Sequence, residues 1–345
     1  MEDEAGMNAT ALLASCGEFN STMPLLDGRV CVEGHALRFV PDPFPPAGLL
    51  EDYQARRNLR MTEERAFDVC EMGLAPLVAA LSRGLDLVAI PVFHYRRFRH
   101  SAVVCRKAAG IRQPLDLVGK RVGVRRLSLS AGIWSRGLLQ HEYGVPLERI
   151  HWVVQADTPI RSEVQDCLDL TRVPPEEPLG RLLLRGELDA TIEAFAIDPL
   201  RDASPLVHPL FEDATAVEID YYRRTEIFPI MHTIVMWRPL IRRYPDLPAQ
   251  VHAAFVRAKA IGAAQSDRPT RYVLSEEERQ WRARLDPKQR AIFLGDSANP
   301  RDPWKYSLRE DRRTVEMFLE YAFEQGITRK RFDVEELFAP STLDL

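Results

Sequence analysis

Ala89-Ile90-Pro91-Val92-Phe93-His94-Tyr95-Arg96-Arg97-Phe98-Arg99-His100-Ser101 opens as an apolar run and then packs three arginines and two histidines into its next residues. A second apolar run, Ala102 to Cys105, follows at once. Both flanks read as buried strands. A cationic connection between buried strands is costly unless something anionic lies against it. The stretch therefore predicts a cleft that takes a carboxylate or phosphate, with a solvated basic loop as the alternative.

The surrounding chain fits that reading. Its 345 residues suffice for about two domains. A hydrophobic share of 46% and a charged share of 28% are ordinary for a globular protein. The net charge of −4 supplies no field for nucleic acid, so none is expected as a partner. No stretch approaches 18 apolar residues, so no membrane span is expected. Cys16, Cys31, Cys70, Cys105 and Cys167 are widely spaced, odd in number and without a Cys-x-x-Cys pair. That pattern predicts reduced thiols in a cytoplasm rather than a disulfide framework or zinc site. The start, Met-Glu-Asp-Glu, lacks the basic and apolar regions of a signal peptide, which also points to the cytoplasm.

Read in order, residues 1–9 are expected to form a loose tail. Ala11 to Cys16 is a short strand, and Gly17 to Thr22 a polar loop with Ser21 or Thr22 as N-cap of a short helix. A second strand falls within Val30–Val40, a rigid proline loop at 41–46, and a helix over about 49–60. Phe67–Cys70 reads as a strand, and Leu74, Leu77, Val78 and Leu81 mark the buried face of the helix after it. Ser128 and Ser130 open a helix whose start presents hydroxyls and free N–H groups suited to an anion. Residues 156–179 read as a long exposed loop and His232–Trp237 as a central strand. Amphipathic helices follow around Val251–Ile261 and Val315–Phe323, with charged helical sequence between them. The order predicts α/β units in two lobes with a cleft between. No Gly-x-Gly-x-x-Gly follows a strand, and no P-loop, His-Glu-x-x-His or Gly-x-Ser-x-Gly is present.

Several segments carry a resemblance. Leu117-Val118-Gly119-Lys120-Arg121-Val122-Gly123-Val124 and Gly186-Glu187-Leu188-Asp189-Ala190 resemble steps of the type II periplasmic binding proteins. Phe67–Met72, Ile90–Phe93, Phe98–Ser101, Trp134-x-Arg136-Gly137, Glu142–Val145 and Phe228–His232 resemble one branch, the 4,5-dihydroxyphthalate decarboxylases, over about residues 12–265. The chain departs from that pattern at Phe19-Asn20-Ser21, at His94 and Tyr95, and at Glu226. The resemblance implies a two-lobed α/β fold, with lobe one from 10–124 plus 219–345, lobe two from 125–218, and hinges near Val124 and Phe211–Tyr221. It implies a cytoplasmic carboxy-lyase acting on a small hydroxylated aromatic acid. A solute-binding protein for an organic anion is the alternative.

In that layout His232, at the mouth of an apolar strand, is the first choice for proton transfer, because histidine titrates in the useful range. His100 and Glu71 are further acid–base candidates; Glu71 is equally placed to be a helix-start carboxylate. Arg99, Arg97 and Arg96 are expected to bind carboxylate, with only one of Arg99 and His100 facing the ligand if the segment is a strand. Asn20, Ser128, Ser130, Trp134 and Arg136 complete the substrate set, although a helical tryptophan is more often core and the serines are equally suited to capping. No cofactor is implied. A divalent metal on His94, Glu71 and His232 gains no support from their spacing. A homo-oligomer is left open.

Overall fold

The computed structural model describes residues 11–41, 50–155, 168–193, 203–263 and 273–345. The expected tail, most of the proline loop, and residues 156–167 of the expected long loop lie outside the described residues. The strands are β1 Leu12–Cys16, β2 Leu37–Pro41, β3 Val69–Gly73, β4 Leu87–Ile90, β5 Val103–Arg106, β6 Arg121–Val124, β7 His151–Val154, β8 Leu170–Arg172, β9 Ala190–Ile192, β10 Val207–Pro209 and β11 His232–Trp237. They form two mixed sheets, one ordered β2-β1-β3-β11-β4 and the other β10-β5-β9-β6-β7-β8.

Each sheet has a parallel part joined to antiparallel strands. In the first sheet, β3, β4 and β11 are buried along their whole length. This is why their sequences are near-continuous apolar runs rather than alternating ones. Glu71 is the conspicuous exception. The helix Leu74–Ser82 starts directly from β3 and buries Leu74, Leu77 and Val78, as their spacing predicts.

Strand pairing moves the first expected lobe boundary. Residues 103–124, assigned from sequence to lobe one, supply β5 and β6 of the second sheet. An apolar strand sequence carries no label for the sheet it will join, so this was not readable locally. The connections between sheets therefore run through 91–102 and 210–231. These two crossovers pair with each other: Arg97 N–H donates to Pro229 O at 3.1 Å and Met231 N–H to Tyr95 O at 2.9 Å, with an antiparallel bridge between Arg96 and Ile230. The expected loop at 156–179 also contains an edge strand, β8.

The helix Ser130–His141 packs across the lobes. Trp134 Nε1 donates to Ile230 O at 2.8 Å, and the Trp134 ring meets Phe318 and Tyr321 of the helix Leu308–Glu324. Gly137 lets these two helices touch, because a Cβ there would lie 2.0 Å from the Tyr321 ring. Gly137→Ala is thus expected to destabilise the fold by about 1–3 kcal/mol through overpacking, read as a lowered urea midpoint with an unchanged slope.

Candidate active site

Glu71, in the middle of β3, lies at the centre of a buried cluster with Gly17 just after β1 and His232 at the start of β11. Its Oε1 meets His232 Nδ1 at 2.5 Å, Arg57 Nη2 at 2.9 Å and His94 Nε2 at 3.3 Å. Its Oε2 accepts from Gly17 N–H at 2.6 Å. Arg57 belongs to the helix Leu50–Thr62 and also donates through Nε to the Glu71 carbonyl at 3.2 Å. Four other parts of the chain, at Gly17, Arg57, His94 and His232, therefore converge on one carboxylate.

Electrostatics follow from that geometry. Burial pushes the Glu71 carboxyl up, but Arg57, His94 and His232 outweigh it and hold the group well below the usual carboxylate range. His232 is pushed down by burial, with Glu71 opposing. A neutral imidazole beside a carboxylate donates from the nitrogen that faces it. Nδ1 of His232 therefore carries the proton, and Nε2 keeps a lone pair. Aromatic edges fix both rings: Tyr95 lies 4.9 Å from His232 between ring centres, and Phe19 5.0 Å from His94.

Glu71, His94 and His232 bring one ligand atom each within 4.8 Å of one another, the only such group among the described residues. Two imidazoles and a carboxylate can hold a divalent ion. The donor set here suits one poorly. The oxygen nearest both rings already carries the Arg57 guanidinium, so a metal would sit beside a buried cation. The residues fit a hydrogen-bonded carboxylate with two imidazoles better.

The basic crossover is buried, as the opening argument requires, yet much of its charge is answered from within. Arg96 forms a bidentate pair with Asp311 and donates to Phe228 O and Lys305 O. It ties the crossover to the C-terminal helix, contrary to its expected role as a substrate clamp. Arg97 lines a small cavity of about 30 Å³ with Ser101 and Glu218. Arg99 is buried and starts a short 3₁₀ turn, His100–Ala102, so the strand alternation expected for Arg99 and His100 does not apply.

His100 is not in the Glu71 cluster. Its ring lies among Phe211, Tyr221 and Tyr143 at 5.3, 5.6 and 6.1 Å. Burial pushes it down to about 4, with Glu142 opposing and Arg224 reinforcing. The unfolded histidine, near 6.5, binds its proton more tightly. Stability is therefore complete above pH 6.5 and is lost as the pH falls towards 4. His100→Phe is expected to remove about 2 kcal/mol of the loss between pH 7 and pH 5, measured by urea unfolding at both values. An unchanged slope of stability against pH would show that the ring titrates normally.

The second-lobe candidates are chiefly structural. Ser130 Oγ accepts from Ala75 N–H at 3.0 Å, joining the starts of two helices across the lobes. Trp134 is core. Arg136 is wholly buried, donating to Leu127 O at 2.6 Å and Gln325 Oε1 at 2.9 Å, and burial pushes it down to about 9. Ser128 is buried at the turn before this helix. Asn20 lines a larger cavity together with His94. Sequence reasoning missed Arg57 altogether, because nothing in an arginine-rich helix shows which arginine turns inward. His94 was legible only as a metal ligand.

Two sheets joined by paired crossovers make a periplasmic-binding-protein-like fold. The chain is similar in structure to the periplasmic aliphatic sulphonate binding protein SsuA of Escherichia coli, with a TM-score of 0.52 and 15% identity over 97% of this chain and 99% of that one. No protein-family profile matches the sequence. It is 31% identical over 347 residues to a 4,5-dihydroxyphthalate decarboxylase of Comamonas testosteroni, covering 98% of this chain and 99% of the relative. It is 29% identical over 224 residues to a protein of that name from Pseudomonas putida, covering 63% of this chain and 83% of the relative. The chain belongs to the 4,5-dihydroxyphthalate decarboxylase family.

Proposed function

We propose that this protein catalyses the non-oxidative decarboxylation of a hydroxylated aromatic acid, 4,5-dihydroxyphthalate or a close relative, giving protocatechuate and CO2 in the named case. The observation that carries the chemistry is the 2.5 Å contact between His232 Nδ1 and Glu71. It leaves His232 Nε2 as a base in a site that keeps the ring neutral.

Direct loss of CO2 from an aromatic acid would leave an aryl carbanion. A hydroxyl para to the carboxylate avoids it. His232 Nε2 takes the phenolic proton, and negative charge moves through the ring to the carbon that bears the carboxylate. A proton added to that carbon breaks aromaticity, and CO2 leaves as the ring regains it. His232 then returns its proton to the phenolate oxygen, so the net reaction consumes one proton. One imidazole does not reach both edges of the ring, and we assign the second proton transfer to His94, the other imidazole on Glu71. Glu71 sets the tautomer of His232 and balances the imidazolium that forms, and Arg57 holds the carboxylate in place.

We take the chemistry to need no metal, in keeping with Arg57 on the shared Glu71 oxygen. We take the setting to be cytoplasmic, in keeping with the buried thiols of Cys16 and Cys105, neither of them in a disulfide. Turnover in D2O is expected to give product with one deuterium on the carbon that lost its carboxylate, read by mass spectrometry and NMR. Product bearing only protium there would overturn ring protonation by an exchangeable group.

A further inference from the structure

Tyr95 stands where the basic crossover meets the Glu71 cluster. Its carbonyl accepts from Met231 N–H at 2.9 Å and from His232 N–H at 3.4 Å, which ties its backbone to the start of β11. Its ring stands at 79° to the His232 ring, with centres 4.9 Å apart. It is tilted by 33° from Phe19, with centres 5.9 Å apart. Tyr95 is only 7% exposed.

The hydroxyl of this residue is out of solvent and has no hydrogen-bond partner among the described residues. A buried hydroxyl left unpaired costs about 1–3 kcal/mol. Phenylalanine would make the same ring contacts without that cost. Tyr221, buried as deeply, differs in that its hydroxyl meets Met317 Sδ at 3.7 Å. A polar group that is buried, unpaired and packed against the proposed base calls for a partner that arrives with the ligand.

We propose that the Tyr95 hydroxyl recognises a second ring hydroxyl of the substrate, the neighbour of the phenol that gives its proton to His232. The assignment rests on the carboxy-lyase reading, in which His232 Nε2 takes the proton para to the departing carboxylate. In 4,5-dihydroxyphthalate the adjacent ring carbon carries the other hydroxyl. The Tyr95 and His232 rings are in contact, so two adjacent ring oxygens can meet both side chains. A hydroxyl both donates and accepts, and the pair can therefore form in either sense. Tyr95 moves no proton in this scheme. It holds the second oxygen, so the ring cannot turn about the first, and it favours adjacent dihydroxy acids over monohydroxy ones.

Tyr95→Phe removes one oxygen and keeps the ring against His232. The test measures this variant and the parent on 4,5-dihydroxyphthalate and on 4-hydroxyphthalate, which keeps a hydroxyl para to one carboxylate but lacks its neighbour. In the variant, kcat/KM for the dihydroxy compound is expected to fall about tenfold, while that for the monohydroxy compound stays within about twofold. The intrinsic reactivities of the two compounds cancel when the ratio is compared between the two proteins. Urea stability of the free variant is expected to equal or exceed that of the parent, because an unpaired oxygen has gone. Equal losses on both compounds, no loss on either, or a lowered stability alone would overturn the assignment. The hydroxyl would then be a structural group of the small cavity it lines with Glu218. Calorimetric binding of the same two compounds separates this from a failure of the lyase reading. A parent that releases no CO2, yet whose preference for the dihydroxy compound is abolished by Tyr95→Phe, would support the assignment and overturn the lyase reading. A binding preference absent from the parent or unchanged in the variant would overturn the assignment, even if the parent decarboxylates 4,5-dihydroxyphthalate.

Discussion

His232→Ala is expected to lower kcat by about 10²- to 10⁴-fold while substrate affinity stays within about tenfold. The imidazole is neutral because it is buried, and it is oriented because its Nδ1 donates to Glu71. Removing the ring deletes the base but leaves Glu71 with Arg57 and Gly17 N–H, so the buried carboxylate keeps partners and the fold should persist. Single-turnover kinetics beside equilibrium binding separate the two quantities. Equal losses in rate and affinity would mean that His232 holds substrate or supports the fold rather than moving a proton.

The second large effect concerns Glu71, where function and stability come apart. Glu71→Gln keeps the shape but not the charge. An amide can donate as well as accept, so it no longer dictates that His232 Nδ1 bears the proton. Turnover is expected to fall by about 10³-fold, mainly in kcat. The same change leaves Arg57, itself fully buried, facing a neutral group. Glu71→Ala removes the carboxylate, leaves Arg57 its Nε bond to the backbone carbonyl of residue 71, and is expected to cost about 3–5 kcal/mol, measured by urea unfolding. The double variant Glu71→Leu, Arg57→Leu is expected to recover most of that stability and none of the activity. Apolar replacement of a buried ion pair is often neutral, whereas an unpaired buried charge is not. If the double variant is no more stable than Glu71→Ala, the guanidinium is not what the carboxylate supports.

The sequence yielded the frame of this site more readily than its contents. Strands β3, β4 and β11 are legible because both faces of the sheet are covered, which forces long apolar runs. The basic crossover reads in the sequence as the wall of a cleft for a carboxylate or phosphate, and the structure buries it. Its most visible anion, however, is Asp311, 215 residues from Arg96 along the chain. No local pattern announces so distant a partner. Glu71 was placed at a helix start, which invites the bland reading of a carboxylate near the dipole. It lies instead within the strand, beside an arginine from an earlier helix. His100 shows the opposite error. A histidine in a basic run looks functional, but aromatic neighbours drawn from three other parts of the chain make it a structural ring. Lobe membership of β5 and β6 was equally hidden, because pairing between strands is a property of the assembled sheet.

Release of CO2 from 4,5-dihydroxyphthalate by the purified protein, followed with and without a chelator, tests the central claim most directly. The account predicts one CO2 and one protocatechuate per substrate consumed, at a rate unaffected by the chelator. No turnover, with a thermal shift produced by the same compound, would contradict it and leave a protein that captures aromatic anions without transforming them.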